Sequence, residues 1–165
     1  MIAITSAMIV PSIFNASDGS VEEESDRLRI VLRLAMEESQ LSGVPIQWLA
    51  TKNGWSFEML EQTKDGLKRV AYEIRPFQAY VLPADIHIEA VEQVSDFNLD
   101  MKAKKKNDKS GGDEEEPVIG MVLFLPDGTT SQSNIRIVGE QDDSVSGVLQ
   151  VRPGPGGIRL QKPDV

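Results

Sequence analysis

The chain of 165 residues contains no cysteine and a single histidine, His87. The first absence excludes disulfides and thiolate metal sites while leaving the compartment open. Together the two remove the common zinc ligand sets. A basic surplus is missing as well. The net charge is −9, which argues against a general phosphate-binding surface, because nucleic-acid affinity rests largely on clustered Lys and Arg. There is no Gly-x-Ser-x-Gly elbow and no Walker loop. Asp127, Asp142 and Asp143 do not form a spaced calcium loop, which needs about six to eight oxygen ligands, and they read as turn residues. No catalytic residue, cofactor, metal or small-molecule substrate is expected, leaving only an enzyme built on paired carboxylates as a remote catalytic reading.

A complete membrane span is also lacking. Residues 1–14, MIAITSAMIVPSIF, are apolar apart from Thr5, Ser6, Pro11 and Ser12. The run is shorter than the roughly 20 residues that spanning takes, and no charged segment precedes it as in a signal peptide. It reads as the second half of a membrane helix, with a buried N-terminal strand or helix as the bland alternative. Thr5 and Ser6 suit close helix packing, and Pro11 would kink the helix. Asn15–Gly19 is polar and turn-forming, a hinge. The expected division is therefore a stem and hinge over 1–19 and one globular domain over 20–165.

What is present begins with Ser20–Gly43, SVEEESDRLRIVLRLAMEESQLSG, the one long segment of clear helical period. Ser20 with Glu23 has the capping-box spacing. Leu28, Val31, Leu32 and Ala35 fall at i, i+3, i+4 and i+7, and Ile30, Leu34 and Leu41 are expected to widen that stripe into a broad apolar face. Glu22–Glu24 suit the positive end of the helix dipole. Gly43 and Pro45 end the helix. Arg27, Arg29, Arg33, Glu37 and Glu38 occupy the remaining surface.

From residue 44 the period changes to that of strands. Pro45–Thr51 and Trp55–Leu60 flank Lys52-Asn53-Gly54, a strong hairpin signal. Further strands are expected at Leu67–Ile74, Tyr80–Leu82 and Ile86–Val91, the last with Ile86, Ile88 and Ala90 on one face and His87 and Glu89 on the other. Residues 98–116, lysines followed by acids, predict a mobile charged loop. Val118–Leu125, VIGMVLFL, is apolar on both faces and reads as a central strand. Pro126-Asp127-Gly128 turns the chain. Asn134–Val138, Gly147–Arg152 and Gly157–Gln161 complete about seven to nine strands, so the fold class is α+β, a long helix packed on antiparallel sheet.

Several of these residues in order resemble a known family. They are Ala7-Met8-Ile9-Val10-Pro11, then Leu34-Ala35 through Glu38 to Gly43-x-Pro45, then Asn53-Gly54-Trp55. Phe124-Leu125-Pro126-Asp127-Gly128-Thr129-Thr130, Ile135-Arg136-Ile137 and Gly157-Ile158-Arg159-Leu160 follow. This order is similar to that of a minor pseudopilin, the H-type subunit of type II secretion, in the GspH/FimT-like group. The resemblance implies a pilin-like fold, with a stem in the bacterial inner membrane, a single-pass topology and a periplasmic globular domain. It implies a structural role in the pseudopilus, no enzymatic activity, and partners among the major G-type and minor I, J and K pseudopilins. The prepilin-peptidase segment of that family is not in this sequence, so Met1 would be an internal position. Met36 stands where relatives often carry Arg.

On this reading Ile2, Ile4, Met8, Ile9, Val10 and Pro11 of the stem, together with Arg29, Arg33 and Glu37 of the helix, are the candidate filament contacts. Pro126, Asp127 and Gly128 are the family's turn. The rival within the same fold is a DNA-binding minor pilin, for which Arg152, Arg159 and Lys162 are the candidate residues. A second rival is a soluble β-sandwich that binds carbohydrate or peptide on Trp48, Trp55 and Tyr72.

Overall fold

A computed structural model describes residues 20–94, 116–140 and 146–161. The expected stem and hinge, the charged segment up to Glu115, Asp142, Asp143 and Lys162 lie outside the described residues. Among those residues the chain forms α1 (Val21–Ser42) and nine strands. These are β1 (Ile46–Thr51), β2 (Gly54–Thr63), β3 (Gly66–Ala71), β4 (Tyr80–Val81) and β5 (Ile86–Gln93), then β6 (Gly120–Phe124), β7 (Ser133–Gly139), β8 (Ser146–Val151) and β9 (Ile158–Gln161). No described helix is long and apolar enough to cross a membrane.

The ends of α1 follow from its caps. The Ser20 hydroxyl accepts the Glu23 N–H at 3.1 Å, satisfying one of the otherwise unpaired first-turn donors. Gly43 takes the left-handed conformation at φ 71°, and its N–H donates to the Ser39 carbonyl at 3.0 Å. Leu28, Leu32 and Ala35 are fully buried. The wider stripe is not: Ile30, Leu34 and Leu41 are 53, 38 and 85% exposed. Ile30 and Leu34 each stand two positions beyond a buried leucine, which is roughly 200° around the helix, so they point away from the core. Their expected places on the inner side are taken by Glu24, Ser25 and Ser39, all buried.

Two antiparallel sheets receive the helix. The first has the order β3-β2-β1-β6, with β4 paired to β2 next to β3; the second runs β5-β7-β8-β9. The helix lies against β8 and β9 and also touches β1, β6 and β7. Ile46, Trp48, Ala50, Phe57, Val122 and Phe124 of the first sheet and Ile88, Ile135, Ile137, Leu149 and Val151 of the second share one core with Leu28, Leu32 and Ala35. At Gly147 on β8 an added Cβ would overlap the Ser25 hydroxyl, so the missing side chain sets how closely α1 approaches that sheet.

Three strand expectations need correction. The run at Val118–Leu125, expected as a central strand buried on both faces, forms an edge strand, β6, only over Gly120–Phe124, with Val118 and Ile119 exposed, whereas the central strand is β1, buried from Ile46 through Ala50. The outer edge of β6 is closed locally by the residues that follow the turn. Ser131 donates its N–H to the Leu123 carbonyl, its hydroxyl accepts the Leu123 N–H at 2.9 Å, and Thr130 bridges Phe124. In β5 the alternation shifts at a bulge between Ile88 and Ala90, which sets Val91 opposite Ile135 and Ala90 opposite Arg136. An inserted residue switches the face of everything after it, so Val91, and not Ala90, continues the Ile88 side. Finally, β3 stops at Ala71, and Ile74 is exposed.

Candidate interaction surface

The orientation of α1 is fixed by hydrogen bonds along one flank. Glu24, buried in the first turn, accepts the Tyr80 hydroxyl proton, its two oxygens lying 2.9 and 3.1 Å from the phenol oxygen. Arg27 approaches the same carboxylate at 3.5 Å and stands 5.1 Å over the Tyr80 ring, which in turn packs on Trp55 at 4.6 Å between centroids. Near the other end, Tyr72 donates to Glu38 at 3.2 Å, and the Ser39 hydroxyl lies within hydrogen-bonding distance of the Val44 and Phe124 carbonyls. A charged acceptor strengthens each tyrosine bond. Two Tyr–Glu clamps therefore hold the helix against the segment that runs from β3 to β4. In the sequence Glu24 suits only the helix dipole, and no local pattern marks its partner 56 residues away.

Clamping one flank presents the other to solvent. Arg29 pairs with Asp26 at 3.0 Å and Arg33 with Glu37 at 3.2 Å. These exposed pairs contribute little to stability, each on the order of 0.5 kcal/mol, and are chiefly surface chemistry. Between this flank and the turn that enters β9 lies a groove of about 390 Å³, lined by Ile30, Arg33, Leu34, Met36, Gly157 and Ile158 among others. The turn demands glycine: Gly154 and Gly156 have φ of 94° and 71°, and a Cβ on Gly157 would overlap the Arg152 carbonyl oxygen. The three described helix candidates, Arg29, Arg33 and Glu37, are thus brought together along this groove. The stem candidates Ile2, Ile4, Met8, Ile9, Val10 and Pro11 lie outside the described residues.

The Pro126-Asp127-Gly128 turn forms as expected. The Thr129 N–H donates to Asp127 Oδ1 at 2.8 Å, and this bond holds the Asp127 carboxyl below the usual carboxylate range. Gly128 takes φ 86°. The turn sits beside the end of α1, where a Cβ on Gly128 would come within 3.3 Å of the Gln40 amide nitrogen.

The described residues of the two rival readings are otherwise engaged. Arg152 donates to the Ser133 and Val151 carbonyls at 3.2 and 2.7 Å and to Asn134 at 3.0 Å, so its guanidinium is committed to the fold. Arg159 donates to the Gly156 carbonyl at 3.1 Å. Trp48, Trp55 and Tyr72 are buried core residues; aromatics on a sheet under a helix fill volume and cannot offer a ligand platform. His87 is half-buried on β5. Among the described residues no group of three potential metal ligands occurs.

Burial and the Glu24 acceptor push the Tyr80 pKa up to about 12 from an ordinary 10. A raised folded-state pKa means that the clamp contributes fully below pH 10 and is lost as pH rises through about 12. Tyr80→Phe is therefore expected to lower stability at pH 7 by about 1.5–3 kcal/mol, the usual worth of a hydrogen bond to a charged group. Urea titrations of both proteins between pH 7 and 12 should show their difference shrinking over the last two units. A difference that stays constant would mean the hydroxyl bond contributes nothing.

No protein-family model and no curated protein matches the chain. Among solved structures the fold is similar to two structures of the minor pseudopilin EpsH from the type II secretion system of Vibrio cholerae. One has a TM-score of 0.58 at 16% identity, covering 87% of this chain and 98% of EpsH. The other has a TM-score of 0.57 at 18% identity, covering 86% and 93%. The solution structure of GspH from E. coli is similar too, with a TM-score of 0.57 at 14% identity over 90% of this chain and 94% of that one. The chain has this fold, one N-terminal helix on antiparallel sheets.

Proposed function

We propose that this chain is a structural subunit of a type II secretion pseudopilus, a minor pseudopilin of the H type, that assists export of folded proteins across the outer membrane. The observation that carries the reading is that the shared fold covers 98% of the solved EpsH chain and 94% of the solved GspH chain. The order of short motifs from Ala7 to Leu160 supports it independently. On this reading residues 1–19 are the end of a stem anchored in the inner membrane, residues 20–165 lie in the periplasm, and the partners are the major and minor pseudopilins. The subunit works as a building block and has no catalytic step.

The exposed flank of α1, with Arg29, Arg33 and Glu37 around Ile30 and Leu34, is the face that contacts adjacent subunits. An apolar row bordered by charges of both signs suits helix-to-helix packing with a defined register. Deleting the gene in its host should trap type II substrates in the periplasm, and the native chain should restore their release. Arg33→Glu combined with Leu34→Asp should restore little of it, about tenfold less secreted substrate, while the purified domain keeps its thermal midpoint. Full secretion by that variant would remove the face from the reading, and secretion unaffected by the deletion would remove the function.

The DNA-binding alternative has no comparable support. With Arg152 held by three hydrogen bonds, the expected basic cluster is not assembled among the described residues.

A further inference from the structure

The first sheet ends in an open edge built by two strands in line. Since β1 occupies one side of β2 from Gly54 to Met59, both β3 and β4 must pair along the other side, at Glu58–Thr63 and at Gly54–Trp55. Backbone groups of an antiparallel strand point alternately toward and away from the partner. The Tyr72 N–H donates to the Phe57 carbonyl at 2.8 Å, and the Leu82 N–H to that of Asn53 at 2.8 Å. Counting back from these inward residues, Leu67 and Ala71 of β3 and Val81 of β4 direct their N–H and C=O outward. Among the described residues no strand pairs with this edge. The opposite edge of the same sheet, β6, is closed by Thr130 and Ser131.

Side chains give the edge a chemical preference. Leu67, Ile74 and Val81 are 59, 65 and 77% exposed. Residues 64–81 carry Lys64, Lys68, Arg69 and Arg75 against Asp65 and Glu73, in a chain of net charge −9. Basic residues on an edge discourage self-pairing between like strands, and the same charge favours an acidic strand.

The geometry points to the β3–β4 edge as a strand-addition site for an extended acidic segment of another protein, one that alternates acidic and apolar residues. Main-chain hydrogen bonds to Leu67, Ala71 and Val81 supply the register, the exposed Leu67, Ile74 and Val81 supply apolar contact, and the basic side chains supply selectivity. This does not depend on the pseudopilus reading.

The test uses a short fluorescein-labelled peptide alternating Glu with Val, and a Lys–Val counterpart, titrated against the full chain at low salt with anisotropy as the readout. The acidic peptide should bind at least about tenfold more tightly than the basic one, and should slow amide exchange at Leu67, Ala71 and Val81. Ala71→Pro removes an outward N–H without touching an inward one and is tolerated on an edge. It should weaken binding about tenfold, as should Lys68→Glu with Arg75→Glu. If Ala71→Pro lowers the thermal midpoint, the charge-reversed variant decides alone. Failure of the acidic peptide to bind, equal binding of the basic peptide, or binding indifferent to these variants would overturn the proposal.

Discussion

Replacing Trp48 with alanine is expected to cost about 3–5 kcal/mol, the usual range for emptying a buried aromatic site. For a domain of this size that lowers the thermal midpoint by roughly 6–20 °C. Trp48 lies on β1, the strand with neighbours on both sides, between Phe57 and Val122 in register. Its side chain is fully buried in the core that also receives Leu28, Leu32 and Ala35. Both sheets and the helix meet here, so the cavity has no single loop that can collapse into it. Trp48→Phe is the informative companion. The indole Nε1 is buried with no hydrogen-bond partner among the described residues, and an unpaired buried donor is itself unfavourable. Phenylalanine loses volume but removes that donor, so its cost should stay below about 1.5 kcal/mol. Calorimetric melts of the two variants decide the point: equal losses would mean that the indole nitrogen is satisfied in solution.

Gly54→Ala should be nearly as damaging, about 3 kcal/mol, for a different reason. Gly54 does not have positive φ, so its glycine is not required by backbone conformation. It is required by proximity: an added Cβ would overlap the Tyr80 carbonyl oxygen, a backbone atom that moves only if β4 moves. Overpacking against backbone typically costs about 1–3 kcal/mol, and displacing Tyr80 also loosens its bond to Glu24. That link makes a sharper expectation possible. If the methyl group already disengages the clamp, adding Tyr80→Phe to Gly54→Ala should cost clearly less than Tyr80→Phe alone, a coupling of about 1 kcal/mol in a double-mutant cycle. Additive losses in denaturant titrations would show that β4 absorbs the methyl group without releasing the hydroxyl.

These two residues also mark how far the sequence could be read. The Asn53-Gly54 pair correctly announced the β1–β2 hairpin, yet the register pairs Thr51 with Gly54, so the two turn residues are Lys52 and Asn53. The glycine belongs to the strand and is there for β4, which arrives from residues 80–81. The helix was legible end to end because a cap, a 3.6-residue period and a terminal glycine are local properties. Its width was overread, since hydrophobicity alone placed Ile30, Leu34 and Leu41 inside, whereas angular position puts them outside. The apolar run at β6 suggested a central strand, yet the strand lies at an edge that the segment after its own turn closes by hydrogen bonds to Leu123.

Of the candidate surface, the charged residues Arg29, Arg33 and Glu37 and the Pro126-Asp127-Gly128 turn were visible in the chain. The groove beside them was not. It requires the Gly154–Gly157 turn to lie alongside the helix flank, a meeting of segments well over 100 residues apart in the chain. The same holds for the clamps of Glu24 with Tyr80 and Glu38 with Tyr72, and for the hydrogen bonds that occupy Arg152.

Sequence alone determined a capped amphipathic helix followed by strands, in a chain with no cysteine and one histidine. Period, caps and turn residues act over a few neighbouring positions, so they are written locally. Tertiary structure decided which helix flank is held and which is offered, which strand edge is closed and which is open, and whether a given arginine is free. Those outcomes depend on atoms brought together across the whole chain, and no local pattern contains them.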